Sequence, residues 1–204
     1  MGLFPQDDLK KVFDLRKKLG KLLFSEVLES SCGRKLIPVD MTEKNDAALI
    51  KHLVFALNNF VALSKKTGQR FHGGRINEIG KQIESLIEAE IRKTPLAINK
   101  LGSSGYPDFE ILHNQRITYL ELKSTGNINK TSTHHRMFYF TSGKKIKNDA
   151  RHLLLQIQME EESNKYWKVI SWKIRDLSGL KVSLKSEFNA NFQDFDKTPL
   201  LGES

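Results

Sequence analysis

A single cysteine, Cys32, stands among 204 residues, which excludes an intramolecular disulfide and any zinc site built mainly from thiolates. It reads as a small packing residue. No unbroken run of eighteen or more apolar residues occurs, so no membrane-spanning segment is expected. The start, MGLFPQDDLKK, lacks the basic-then-apolar order of a secretory signal, and Gln6 stands where a myristoylation signal needs Ser or Thr after Gly2. A cytoplasmic location is therefore expected. Internal repeats and low-complexity stretches are absent. The glycine-rich basic segment SKKTGQRFHGGR does not match a phosphate-binding P-loop and reads as a turn-rich joint. No G-x-S-x-G motif supplies a serine nucleophile.

What the chain has is positive charge. Lys and Arg number 33 against 24 Asp and Glu, a net charge of +9 with a pI near 9.5, which favours a polyanionic partner such as DNA or RNA. The excess is concentrated between Leu122 and Arg151, where Lys123, Lys130, Arg136, Lys144, Lys145, Lys147 and Arg151 face one acid, Asp149. A solvated basic loop is the alternative for that stretch. Hydrophobic residues at 39% and charged residues at 28% are ordinary for a folded globular chain, and the length suits one domain with an attached subdomain.

Periodicity predicts helices first. Apolar residues recur at helical spacing from Gln6 to Glu29, with an interruption near Gly20, and again from Thr42 to Leu63, with SSCGRKLIPVD as the connector. A third helix is expected over Ile76 to Arg92, its apolar face formed by Ile76, Ile79, Ile83, Leu86, Ile87 and Ile91. Glu84 lies on the adjacent polar stripe, nearest the apolar edge. Strands are expected at RMFYFTSG, ARHLLLQIQMEEE, YWKVISWKIRDLSG and LKVSLKSEF, the second of which also fits a short helix. Trp167 and Trp172, five apart, are expected on opposite faces as core and surface packing.

The informative stretch is SSGYPDFEILHNQRITYLELKSTG, Ser103 to Gly126. With Asn114 and Gln115 as turn residues, His113 pairs with Arg116 and Asp108 falls opposite Glu121. Asp108, Glu110, Leu112, Ile117, Tyr119, Glu121 and Lys123 then share one face, while Phe109, Ile111, Thr118, Leu120 and Leu122 form the core face. Directly opposed side chains have Cβ atoms about 4.5–5.5 Å apart, so two carboxylates there repel unless a cation lies between them. A divalent metal resolves the conflict, and oxygen ligands suit Mg²⁺, which takes one or two carboxylates together with waters and phosphate oxygens. Lys123, on the same face, is placed to orient or help deprotonate a water, or to stabilise charge on a phosphate. The alternative is an exposed face on which Lys123 merely pairs with Glu121 or Asp108.

Pro107-Asp108 followed by Glu121-Leu122-Lys123 resembles the signature of the PD-(D/E)xK nuclease superfamily, and the order of acidic helix, hairpin and further strands is similar to its common core. Within it the small basic chain looks most like a type II restriction endonuclease. The resemblance implies an α/β restriction-endonuclease-like core with a central mixed sheet flanked by helices over residues 73–204, plus an N-terminal helical region, 1–72, serving dimerisation or DNA contact. It implies Asp108 and Glu121 as metal ligands, Lys123 as the catalytic lysine, and an added helix acid, Glu84, with Glu78 and Glu88 as alternatives. The implied reaction is Mg²⁺-dependent hydrolysis of double-stranded DNA leaving 5′-phosphates. Implied partners are a second copy of the chain, matching a palindromic site, and a cognate DNA methyltransferase.

His134 and His135 have no second cluster at ligand spacing, and the segment around them reads as a DNA-contact loop. Asn127, Asn129, Lys130, Thr131, Ser132, Thr133 and Arg136, with Lys144 and Lys145 beyond, supply side chains that reach phosphates and base edges, although an ordinary polar loop has the same composition. His52 and His72 are expected to pack or face solvent. Two rivals remain: another nuclease of the same superfamily, in repair, recombination or structure-specific cutting, and a non-catalytic nucleic-acid-binding module.

Overall fold

The computed structural model describes residues 14, 21–74, 76–102, 105–126, 140 and 143–183. The chain divides into two compact units, residues 23–180 and a second one made of residues 1–22 with 181–204. In the order of the chain the elements are β1 (Lys21–Leu23), α1 (Phe24–Cys32), α2 (Lys44–Lys66), β2 (Phe71–His72), α3 (Ile76–Ile91), β3 (Ala97–Lys100), β4 (Phe109–His113), β5 (Arg116–Thr125), β6 (Arg151–Ser163), β7 (Tyr166–Asp176) and β8 (Lys181–Ser183). β1 and β8 form a two-stranded sheet. The expected helix over residues 6–29 is seen from Phe24 onward, after a short strand, and most of its first half lies outside the described residues. The expected strand at RMFYFTSG also lies outside them, apart from Phe140 and Gly143.

The main sheet has six strands in the order β2-β7-β6-β5-β4-β3. It is mixed: β5 and β6 are parallel, and the other neighbours are antiparallel. One face carries the core. Phe109, Ile111, Leu120, Leu122, Leu153, Leu155 and Ile157 meet Leu49, Leu53, Leu57 and Phe60 of α2 and Ile79, Ile83, Ile87 and Ile91 of α3. This is the α/β architecture of a restriction-endonuclease-like core. By length and composition α2 would pass for a membrane span, but its apolar stripe is spent on this sheet. Burying each such side chain stabilises the fold by roughly 1.5–3 kcal/mol.

Glu43 caps α2 by accepting the Asp46 N–H at 3.1 Å, and an ion pair with Arg116 Nη1 at 2.6 Å ties the helix start to the foot of β5. Asp46 is buried and held by Arg151 Nε at 2.9 Å. The first residue of β6, the parallel partner of β5, is thus anchored to α2.

One expectation is corrected by the packing, and one alternative is set aside. Trp167 and Trp172 both lie against the same core, because Ser171 pairs with Gln158 while Val169 pairs with the next residue, Met159. The extra residue, Ile170, is a bulge that reverses the inward-outward alternation between the two tryptophans. The second face of β5 is not simply open either, since Tyr119 and Glu121 are buried. A small second layer covers it: Phe24 of α1 stands edge-on to Tyr106 and Phe140, and Tyr106 stacks on His152 beside Tyr119.

Candidate active site

The hairpin is built as its sequence requires. Asn114 and Gln115 both have positive φ, 47° and 63°, the signature of a two-residue type I′ turn. The register follows, with His113 opposite Arg116 and Phe109 opposite Leu120. One step further out, Asp108 comes level with Glu121, where β4 has ended. Pro107, joined to Tyr106 by a cis peptide bond, has no N–H to give the sheet, and beside it the Asp108 carboxylate accepts the Leu122 N–H at 2.7 Å.

Glu121 and Lys123 follow on β5 at alternate positions, and Lys123 Nζ lies 2.5 Å from Glu121 Oε1. The Glu121 side chain is 4% exposed and that of Lys123 31%, so the cation stands at the mouth with the acid beneath it. Burial raises the Asp108 carboxyl above its ordinary value, opposed by the Leu122 N–H and Lys123 and reinforced by the charge of Glu84. Burial also pushes Glu121 up to about 7, with Asp108 adding to the rise and Lys123 opposing it. The charge of Asp108 disfavours ionisation of Glu121, as expected of two acids that lie together in one half-buried site.

Glu121 Oε2 is buried with no hydrogen-bond partner, a costly condition for a carboxylate oxygen. A hard divalent cation with oxygen ligands fits this donor set: it would satisfy the orphaned oxygen and relieve the repulsion from Asp108. Among the described residues no group of three His, Cys, Asp or Glu side chains is placed to hold a metal ion. Two protein carboxylates are a normal number for Mg²⁺.

Of the helix acids, Glu84 is the one whose charge reaches Asp108. It also holds Lys100 Nζ at 2.6 Å, and Lys100 feels Glu88 and Asp108 as well, its ammonium being raised first by the Glu84 hydrogen bond. Glu88 instead pairs with Arg92 at 2.6 Å, and Glu78 accepts the Gly74 N–H at 3.0 Å. Lys100 was not legible as a site residue, because only the β3–β4 pairing brings it opposite Phe109, beside Asp108.

Lys145 donates to the carbonyls of Gly105 and Pro107 at 2.7 and 3.0 Å and so braces the segment that carries Asp108. Lys144 is exposed. Asn127, Asn129, Lys130, Thr131, Ser132, Thr133, His134, His135 and Arg136 lie outside the described residues.

A model of the type II restriction enzyme MjaV family matches residues 18–198 of this chain. The type II restriction enzyme MjaV of Methanocaldococcus jannaschii is 34% identical to it over 203 residues, covering 89% of this chain and 87% of that protein. The chain belongs to the MjaV family of type II restriction enzymes. Members of the MjaV family are endodeoxyribonucleases, and the acids and lysine gathered at Asp108 lie inside the span that the family model matches. Type II restriction enzymes generally work with a divalent metal, in keeping with the donor set found here.

Proposed function

We propose that the chain cuts double-stranded DNA at a specific sequence, with Mg²⁺ held by Asp108 and Glu121. The observation that carries this reading is that Asp108, Glu121 and Lys123 lie together in one half-buried site, with both carboxyls raised and Glu121 Oε2 buried without a partner. When bound, the metal supplies a Lewis acid and a more acidic water. The protein supplies the rest. Lys123, fixed by Glu121 yet partly exposed, offers its ammonium to the charge that grows on the phosphate in the transition state. Glu84, with Lys100, sets the field around Asp108 and is the candidate for a further acid at the site. In this reading water attacks phosphorus in line with the 3′ oxygen, which leaves, so the new 5′ end keeps the phosphate.

Recognition of a short symmetric site calls for a homodimer with one site per strand, to which residues 1–72 contribute contacts. Residues 127–136, with Lys144 and Lys145, supply DNA contacts, the enzyme works in the cytoplasm, and a methyltransferase of the same specificity protects the host DNA. The test is digestion of unmethylated phage DNA with Mg²⁺, beside Asp108→Ala and Lys123→Ala. Sharp bands from the wild type alone are expected. A smear or a nick would move the assignment to another nuclease of the same superfamily, and DNA left intact with several metals and sequences would leave a binding module.

A further inference from the structure

The sheet face that carries Glu121 and Lys123 continues past them. Across β5, β6 and β7 the registers align Glu121 with Leu154 and Arg175, and Lys123 with Gln156 and Lys173. Aligned residues of neighbouring strands point to the same side of a sheet, and strands lie about 4.8 Å apart, so Arg175 and Lys173 stand about 10 Å from the acid and the lysine. Both are exposed, whereas the alternating β7 residues Trp172 and Ile174 turn to the core. Gln156 Oε1 accepts a hydrogen bond from Arg175 Nε at 2.8 Å, which fixes the plane of the guanidinium next to the catalytic lysine.

We propose that Lys173 and Arg175 grip backbone phosphates of the DNA within a few nucleotides of the one being cut, with Gln156 as the positioning residue for Arg175. This rests on the reading of the Asp108 site as a DNA-cutting site. Along a duplex each strand offers a phosphate about every 3.4 Å of axis, so cations about 10 Å from the carboxylates meet phosphates within a few nucleotides of the scissile one. The occupant follows from charge and continuity: the patch is cationic and borders the site, and its apolar residue, Leu154, is already buried and offers a protein partner little to cover. An Arg anchored through Nε keeps its two terminal nitrogens directed outward as a fork suited to phosphate oxygens. The patch was not legible in the sequence because Lys123, Gln156 and Lys173 meet only through the strand pairings.

The experiment is binding of a random-sequence 30-base-pair duplex in EDTA, measured against salt concentration, for wild type, Lys173→Gln/Arg175→Gln, Gln156→Leu and Lys168→Gln. Lys168 lies on the same strand but is engaged by Glu160 and Glu162. The double variant is expected to bind roughly ten- to hundredfold more weakly, with a log–log salt slope smaller by about 2. Gln156→Leu is expected to weaken binding with little change of slope, and Lys168→Gln to leave both unchanged. A double variant that melts like the wild type and keeps its slope overturns the proposal, as does an equal loss of slope in Lys168→Gln. Plasmid cleavage by the wild type is run alongside: if it fails, the nuclease reading falls, whereas intact cleavage with an unchanged slope sinks the phosphate grip alone.

Discussion

The Asp108 carboxylate accepts the backbone N–H of Leu122 at 2.7 Å, and Leu122 is the residue between Glu121 and Lys123. One hydrogen bond therefore fixes the first acid of the site to the strand that carries the other two groups. Just before β4 begins, the Asp108 side chain takes up this strand N–H, so the spacing of the three candidate groups is set by sheet geometry.

Substitution at Asp108 separates that structural role from the chemical one. Asp108→Asn keeps an oxygen for the Leu122 N–H but loses the charge, whereas Asp108→Ala loses both. Both variants, and Lys123→Ala, are expected to cut DNA at least about 10²-fold more slowly. Only Asp108→Ala is expected to melt earlier than wild type, by the roughly 1–3 kcal/mol of an unsatisfied buried N–H. Rate assays and thermal melts decide it; an active Asp108→Asn would remove Asp108 from the metal.

Without metal, Glu121 is a liability to the fold: it is buried, faces Asp108, and has an oxygen without a partner. Glu121→Gln is expected to raise the melting temperature in EDTA at neutral pH, by about 2–4 °C for each kcal/mol relieved. The same variant should lose the stabilisation that added Mg²⁺ gives the wild type. Equal melting shifts with Mg²⁺ in both proteins would mean the ion binds elsewhere.

The three helix acids are distinguished by their partners. Glu84→Ala releases Lys100 and changes the field at Asp108, so it is expected to slow cleavage about tenfold or more. Glu88→Ala and Glu78→Ala, which lose the pair with Arg92 and the bond to the Gly74 N–H, should stay within about twofold. Side-by-side cleavage rates test the ranking, and an inactive Glu88→Ala would reverse it.

The hairpin was legible because it is local: turn residues, alternation and the Asp108–Glu121 pairing lie within two dozen residues of sequence. Ile76–Ile91 and the long strands were legible for the same reason, each having a strong period of its own. The rest depends on contacts between distant segments. Nothing in the sequence around Tyr119 announced that Phe24, Tyr106 and His152 would cover it, and the Ile170 bulge, invisible to a count of alternating positions, turned Trp167 and Trp172 to the same side. Lys100, Gln156 and Arg175 joined the site neighbourhood only once the order of strands was known.

The covering layer gives a pH dependence with a definite sign. His152 is wholly buried, its Nδ1 lies 2.6 Å from the Tyr106 hydroxyl, and its Nε2 has no partner. Burial lowers its pKa from 6.5 to about 4, with Asp176 opposing the shift. As pH falls through 6.5 the unfolded chain takes up a proton that the folded chain refuses. The stability due to neutral His152 is thus fully present above pH 6.5 and is lost progressively down to about pH 4. Between pH 6.5 and pH 5 the loss is on the order of 2 kcal/mol. The raised Asp108 and Glu121 carboxyls act in the opposite sense over part of this range, so the comparison needed is with His152→Gln in EDTA. Urea unfolding at pH 7 and pH 5 should show the wild type losing about 2 kcal/mol more than the variant. Parallel losses in the two proteins would mean that His152 takes up its proton as readily folded as unfolded.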